Sequence, residues 1–501
     1  PVRVSLDTEI QDYLQAMADR AMESFRPFGA GNTALMVVDR KNGDVLGYIG
    51  SQSYFDEAYK GSINYAATPR STGSTLKPFL FALGLQSNNF TPASVLADLP
   101  FHVLSPSGEY TAGNFDGEYL GPMLYRRALA NSRNIPPLRV LESIGLQATY
   151  QFFQSLGLSD ASKPVEHYGY GLVIGGLYSS LEQILTAYGV LANDGKAFDL
   201  RWVAPTQTST DRPPAKHLIS ESAARQVSLF LSDPLSRLPT FPRLRVLDFP
   251  FPVAIKTGTS EGFRDAWTIG YSSEYIAGIW VGHPDNERMN HVPGSVAAEL
   301  LQSIFLYLQP EARQGINEKP FPPPRDSLAV GICVLSGRLA TTRCSNIIQE
   351  YFVEGTQPHS HCDVHREFVA NPSAGGDRRI VKAVFPPEYA AWAAANGYDA
   401  QPAVRTEIPE TGISIVSPLS GSRLIIDPET PRNMQTLPLR AEVTPSIPSI
   451  VWYIDGEPSE ARDYPYETRW RLEEGEHTFQ AKFARANVFS EKVYVTVSAY
   501  R

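Results

Sequence analysis

The pattern of apolar and polar positions divides the chain into two textures. Ile10 to Phe25 carries apolar residues at helical spacing and predicts an N-terminal helix. Thr33-Ala34-Leu35-Met36-Val37-Val38-Asp39 and Asp44-Val45-Leu46-Gly47-Tyr48-Ile49 read as two strands, with the hairpin signal Asn42-Gly43 between them. Leu76, Phe79, Leu80 and Leu83 repeat at i, i+3, i+4 and i+7, which predicts a helix. Gly73 allows a tight turn into it, and Pro78 is tolerable only near its first turn. Further on, Val253 and Ile255 alternate up to Lys256. Two more strands follow, Trp267 to Tyr271 and Tyr275 to Trp280, and then a helix from Ser295 to Leu308 with Ser295 as its N-cap. Strands at both ends with helices between them predict an α+β domain, a five-stranded antiparallel sheet with helices packed on it.

From Ser414 onward the pattern becomes short and alternating. Ile450 to Ile454, His477 to Lys482 and Val493 to Val497 read as strands, and Asp455-Gly456 and Glu474-Gly475 mark turns. This predicts a small all-β, immunoglobulin-like sandwich without the cysteine pair of antibody domains. The expected division is a connecting segment at 1–30, an α+β domain at 31–310, a Pro-rich, Cys-containing connector at 311–413 and the sandwich at 414–501. Composition adds two constraints. With 43% hydrophobic and 19% charged residues the chain is ordinary globular material, and a net charge of −9 argues against nucleic acid as a partner. No run of 18 or more apolar residues occurs, so no membrane-spanning helix is expected within this sequence.

Three short strings carry chemistry: Ser74-Thr75-Leu76-Lys77, Ser132-Arg133-Asn134 and Lys256-Thr257-Gly258-Thr259. A serine hydroxyl is a poor nucleophile without a base in hydrogen-bond reach. Lys77 follows Ser74 at a spacing that puts both on one helix face, and Ser74 falls at the helix N-terminus, where developing negative charge is favoured. Lys77 serves as a base only if burial or a second cation depresses its pKa, and Lys256 supplies such a cation. Ser132 is a candidate proton relay to a leaving amine, and Asn134 offers a donor and an acceptor to a substrate amide. Gly258 leaves its strand bare, so that a substrate backbone can pair along it, with Lys256, Thr257 and Thr259 holding a carboxylate. Acyl transfer through a serine ester calls for no metal and no cofactor, and none is expected at this site.

In this order, S-x-x-K, S-x-N and K-T-G form the signature of penicillin-binding proteins and β-lactamases. With Pro69 to Phe79, Ser132 to Pro136, Lys256 to Ser260, Arg264-Asp265-Ala266-Trp267, Gly175-Gly176, Ala187-Tyr188-Gly189 and Ala192 to Gly195, residues 1 to about 310 resemble the transpeptidase domain of class A, high-molecular-weight penicillin-binding proteins. The tail resembles the C-terminal module of the 1C type. The resemblance implies a D,D-transpeptidase that cross-links peptidoglycan stem peptides through a Ser74 acyl-enzyme and is acylated by β-lactams. It also implies oxyanion stabilisation by the amides of Ser74 and Thr259. The C-terminal domain is expected to meet a cell-wall or protein partner. Class A proteins carry a membrane anchor and a glycosyltransferase domain ahead of this one; the chain is therefore expected to be a fragment, or a form without the first domain, of a protein at the periplasmic face of the inner membrane. A D,D-carboxypeptidase, a serine β-lactamase with Glu166 or Glu182 as deacylating base, and a non-catalytic penicillin-binding sensor or scaffold are the alternatives.

All three cysteines, Cys333, Cys344 and Cys362, lie in the connector, with His359, His361 and His365 beside the last. An extracytoplasmic location favours a disulfide, with Cys344–Cys362 preferred and Cys333–Cys344 the main alternative. A zinc site and free thiols are the competing readings.

Overall fold

The computed structural model describes all residues except 1, 106–107, 160–162, 204–215, 244, 291–293, 312–318, 371–377, 399–411, 427–434, 445–446, 485–487 and 500–501. The chain forms two compact units. One consists of residues 1–98, 103–118 and 122–362; the other consists of 99–102, 119–121 and 363–501.

The first unit begins with helix α1 (Thr8–Phe25), whose N-cap Asp7 accepts hydrogen bonds from the Glu9 and Ile10 amides. Strands β1 (Asn32–Asp39) and β2 (Val45–Ile49) follow, joined through Gly43 at φ 79°. Next come α2 (Lys77–Gln86), α3 (Tyr125–Ala130), α4 (Ile135–Ile144), α5 (Leu146–Ser155), α6 (Leu181–Ala192) and α7 (Glu221–Ser232). Strands β3 (Ala254–Thr259), β4 (Asp265–Tyr271) and β5 (Tyr275–Gly282) return to the sheet, and α8 (Gly294–Leu308) closes it. The sheet has five strands in the order β2-β1-β5-β4-β3, with every neighbour antiparallel. This is the expected α+β architecture. Its core joins Leu14, Ala18, Met22 and Phe25 of α1, Leu35 and Val37 of β1, and Ala297, Leu301 and Phe305 of α8. The expected connecting segment thus contributes a core helix. Helix α8 starts at Gly294, so Ser295 falls inside its first turn rather than at its N-cap; the Ser295 side chain lies outside the described residues.

Helix α2 departs from its predicted amphipathic stripe. Phe81, Ala82 and Gly84 are buried along with Phe79 and Leu80, and Leu83 is only half-buried. The helix is packed against α7, α4 and α5, so that little of it before its last turn reaches solvent.

Strands β6 (Ser327–Cys333) and β7 (Ile347–Val353) then pair as a separate antiparallel ribbon of the first unit. In the second unit a three-stranded sheet (Gly412–Ser417, Thr436–Thr444, Glu467–Arg471) and a five-stranded sheet share one core that includes Leu439, Trp470, Trp452, Phe479 and Val495. This is a two-sheet sandwich, and the three strands read from the sequence all lie in its larger sheet.

Candidate active site

Ser74 sits on a 3-10 turn, Gly73–Leu76, that feeds directly into α2. Pro78 accounts for the turn. Proline has no N–H to give the Ser74 carbonyl the α-helical bond, and the Lys77 N–H takes that carbonyl instead. In a 3-10 turn positions i and i+3 eclipse, so Ser74 and Lys77 project one above the other.

The turn is clamped on all sides. The Tyr188 hydroxyl donates to the Thr75 carbonyl at 2.8 Å, and the Trp267 indole N–H donates to the Ser71 carbonyl at 2.8 Å. The Thr72 hydroxyl donates to the Leu177 carbonyl at 2.9 Å, and the Ser71 hydroxyl donates to the Gly175 carbonyl at 2.7 Å. Gly73 stands at φ 52°, and a Cβ there would lie 2.6–2.8 Å from the backbone O, C and N of Thr259. Gly258 is equally constrained, since its Cβ would meet Thr75 Cγ2 at 2.6 Å and the Thr72 carbonyl at 2.9 Å. Two bare backbones therefore let strand β3 and the Ser74 turn touch. We expect Gly73→Ala to destabilise the unit by more than the ~1–3 kcal/mol of a strained positive φ, because the Cβ also strikes backbone. Chemical denaturation would check this, and a variant within 0.5 kcal/mol of the parent would contradict it.

Lys77 is wholly buried, and its Nζ donates to the Ser132 carbonyl (2.8 Å), the Arg133 carbonyl (2.7 Å) and Asn134 Oδ1 (2.8 Å). Three acceptors favour the ammonium. Burial favours the amine, helped by the nearby charges of Lys256 and then Arg133, and these effects win: the Lys77 pKa lies well below its usual value. Lys256 Nζ donates to Ser132 Oγ at 2.6 Å and to the Thr257 carbonyl at 2.7 Å. Burial lowers its pKa from 10.5 to about 7. Ser132 adopts φ 57°, a conformation that non-glycine residues hold only where surroundings enforce it.

The enforcing network contains residues the motifs did not single out. Arg133 is buried; its Nε donates to Asp98 Oδ2 at 2.8 Å and its Nη1 to Asp116 Oδ2 at 2.7 Å. Asp98 Oδ1 accepts from Asn114 Nδ2 at 2.7 Å, and Asn114 Oδ1 accepts from the Asn134 amide at 2.8 Å. The Asn134 side chain is engaged at both ends, with Nδ2 donating to the Gly113 carbonyl at 3.0 Å. No local spacing announces Asp98 or Asn114. The available signal was an arginine inside the S-x-N string, which needs a carboxylate if it is buried.

Strand β3 is an edge strand, and Ser260 N–H donates to the Asp265 carbonyl of β4 at 3.0 Å. By strand alternation the Thr259 N–H points the other way, toward the unpaired edge. The Thr259 hydroxyl accepts from the Gly294 amide at 2.9 Å. Asp265 is buried, accepting from Ser260 Oγ at 2.9 Å and from the Trp280 indole at 2.9 Å, which holds the β3–β4 turn.

A buried lysine with a lowered pKa opposes folding below about pH 7, and the penalty fades as pH rises from about 7 toward 10.5, where the unfolded chain also loses the proton. Lys256→Met should therefore melt higher than the parent at neutral pH, with the gain shrinking toward pH 10.5, and should lose β-lactam acylation. Melting curves across that range test it; a variant that melts several degrees lower at neutral pH would contradict the sign.

A helix, a loop and a strand thus bring Lys77, Ser132 and Lys256 into one hydrogen-bonded cluster, with Ser74 one 3-10 turn ahead of Lys77. The chain belongs to the penicillin-binding protein transpeptidase family: the family described as "Penicillin binding protein transpeptidase domain" matches residues 33–305, more than half of the chain. "Penicillin-binding protein 1A, C-terminal domain" matches 324–367, and "Penicillin-Binding Protein C-terminus Family" matches 405–481. The chain is 30% identical over 361 residues to penicillin-binding protein 1C of Escherichia coli, covering 71% of this chain and 44% of that protein. It is 28% identical over 345 residues to penicillin-binding protein 1A of Aquifex aeolicus, covering 66% of this chain and 44% of that protein. The chain thus spans less than half the length of these relatives. In fold it is similar to penicillin-binding protein 1A of Haemophilus influenzae (TM-score 0.54, 22% identity, 66% of this chain and 54% of that one). It is likewise similar to the PonA1 protein of Mycobacterium tuberculosis in complex with penicillin V (TM-score 0.53, 19% identity, 68% and 90%).

Proposed function

We propose that this chain catalyses D,D-transpeptidation of peptidoglycan stem peptides through an ester at Ser74, the same ester that a β-lactam forms irreversibly. The observation that carries the reading is the buried, depressed Lys77 one 3-10 turn from Ser74, wired to the loop that also meets Lys256.

Neutral Lys77 takes the Ser74 proton as Oγ attacks the penultimate D-Ala carbonyl. The amides of Ser74 and Thr259 receive the oxyanion. Ser132 passes a proton to the departing D-Ala amine, drawing on Lys256. Lys256, Thr257 and Thr259 hold the terminal carboxylate beside Gly258 on the edge strand, and Asn134 holds the acyl-side amide by exchanging its Gly113 partner. The amine of a second stem peptide then attacks the ester and forms the cross-link; its proton returns through Ser132 to Lys256, and Lys77 gives its proton back to the departing Ser74 oxygen. The setting this implies is extracytoplasmic; among the described residues no helix is long and apolar enough to cross a membrane.

A β-lactamase needs a base for rapid deacylation. Glu182 instead accepts the Tyr48 hydroxyl at 2.6 Å on the first turn of α6, and Glu166 is exposed on a separate 3-10 turn. This favours long-lived acylation. Product analysis with a stem-peptide donor and a D-amino-acid acceptor tests the reading. Dimer or exchange product is expected. Free D-Ala alone would make the chain a carboxypeptidase, and no product would make it a sensor.

A further inference from the structure

The three cysteines form no disulfide, contrary to the bridge expected between Cys344 and Cys362. The physical reason is convergence on one point. Cys333, Cys344 and Cys362 each offer one sulfur, and the three sulfurs all lie within 4.8 Å of one another. We propose that these three residues bind a zinc ion that staples the β6–β7 ribbon.

The geometry suits zinc. Zn–S near 2.3 Å in a tetrahedron places donors roughly 3.8 Å apart. The donors therefore need to close by about 1 Å, which side-chain rotation supplies. Three thiolates fill three of the four positions and leave the fourth to a water molecule. Binding releases three thiol protons to solvent and leaves a site of net charge −1.

The backbone already holds the ligands in place. The Cys333 N–H donates to the Arg338 carbonyl at 2.8 Å, and the Cys362 N–H donates to the Leu339 carbonyl at 2.9 Å. Cys344 closes a turn, its N–H donating to the Thr341 carbonyl at 3.0 Å, and the Thr341 N–H donates to Cys344 Sγ at 3.3 Å. An amide aimed at sulfur stabilises a thiolate ligand.

The ribbon also needs a staple. Among the described residues its fully buried apolar cluster is Leu124, Ile332 and Phe352, with half-buried neighbours such as Val95, Val330 and Ile348, and most of β6 is exposed or half-buried. A module with so small a core usually relies on a metal or a cross-link. Beyond that core, Glu350 of β7 anchors it, accepting Arg126 Nε and Nη2 of α3 at 2.6 and 2.7 Å, with the carboxylate fully buried.

The test uses the full chain, purified without chelator or reductant. Elemental analysis should find about one zinc per chain, and Cys333→Ala and Cys344→Ala should each lose most of it. As a check independent of how those variants fold, the wild-type protein should be stripped with a strong chelator under reducing conditions and titrated with Co²⁺ alone. Visible bands of tetrahedral cobalt with thiolate-to-metal charge transfer are expected, saturating at one equivalent. The stripped protein should melt lower and recover with Zn²⁺. A stoichiometric disulfide between any two of the cysteines, found by non-reducing peptide mapping of the purified protein, would overturn the proposal. So would stripped, folded protein that takes up neither Zn²⁺ nor Co²⁺.

Discussion

Lys77→Arg should lower the rate of β-lactam acylation by roughly 10²-fold or more, while the protein remains folded enough to melt cooperatively. Arginine keeps the positive charge and can still donate to the Ser132 and Arg133 carbonyls. It cannot give up its proton at any pH the protein survives, so it cannot act as the base. The wild-type amine can, because burial and the neighbouring Lys256 and Arg133 charges pull its pKa well down. The sign of the pH dependence follows. Base-catalysed acylation should rise with pH through the depressed Lys77 pKa, and that limb should vanish in Lys77→Arg. Stopped-flow acylation with a chromogenic β-lactam reads both quantities. An unchanged rate would require another base.

Asp98→Ala is expected to be the most damaging substitution away from the reacting atoms. It removes the fully buried carboxylate that faces Arg133, itself only 3% exposed. Breaking one side of a buried ion pair leaves a charge uncompensated, at a cost of about 3–5 kcal/mol. Asp116 and the Glu118 carbonyl still face Arg133, so the lower end of that range is expected. The loss should reach the chemistry, since Asp98 also holds Asn114, and Asn114 holds the Asn134 amide. Both stability in urea and the acylation rate should fall; Asp98→Asn, which keeps the shape and one acceptor, should fall less. Parent-like stability in Asp98→Ala would mean that the Ser132 loop is held some other way.

The sequence exposed the parts of this site that chemistry makes local. Serine and lysine one turn apart, a lysine on an alternating strand and a glycine beside it are short-range patterns, and the structure brings all three strings to one centre. The α+β order of elements was legible for the same reason, each element having its own periodicity. What remained hidden was set by contacts across long separations. Asp98 meets Arg133 through folding, not spacing. Helix α2 reads as one apolar stripe of Leu76, Phe79, Leu80 and Leu83, yet Lys77, Phe81 and Gly84 off that stripe are buried too, Gly84 against the Tyr125 hydroxyl. Gly73 was readable as a tight turn, but the closeness of Thr259 that demands it was not. The cysteines were countable, but their convergence depends on backbone pairing around Leu339 that no spacing reveals.

The most direct test of the central claim is mass mapping after incubation with penicillin. The purified chain should gain one penicilloyl adduct, stable through denaturation, and proteolysis should place it on the peptide containing Ser74 as an ester at that residue. Ser74→Ala should acquire none while melting like the parent. An adduct on any other residue, or labelling that persists in Ser74→Ala, would contradict the account.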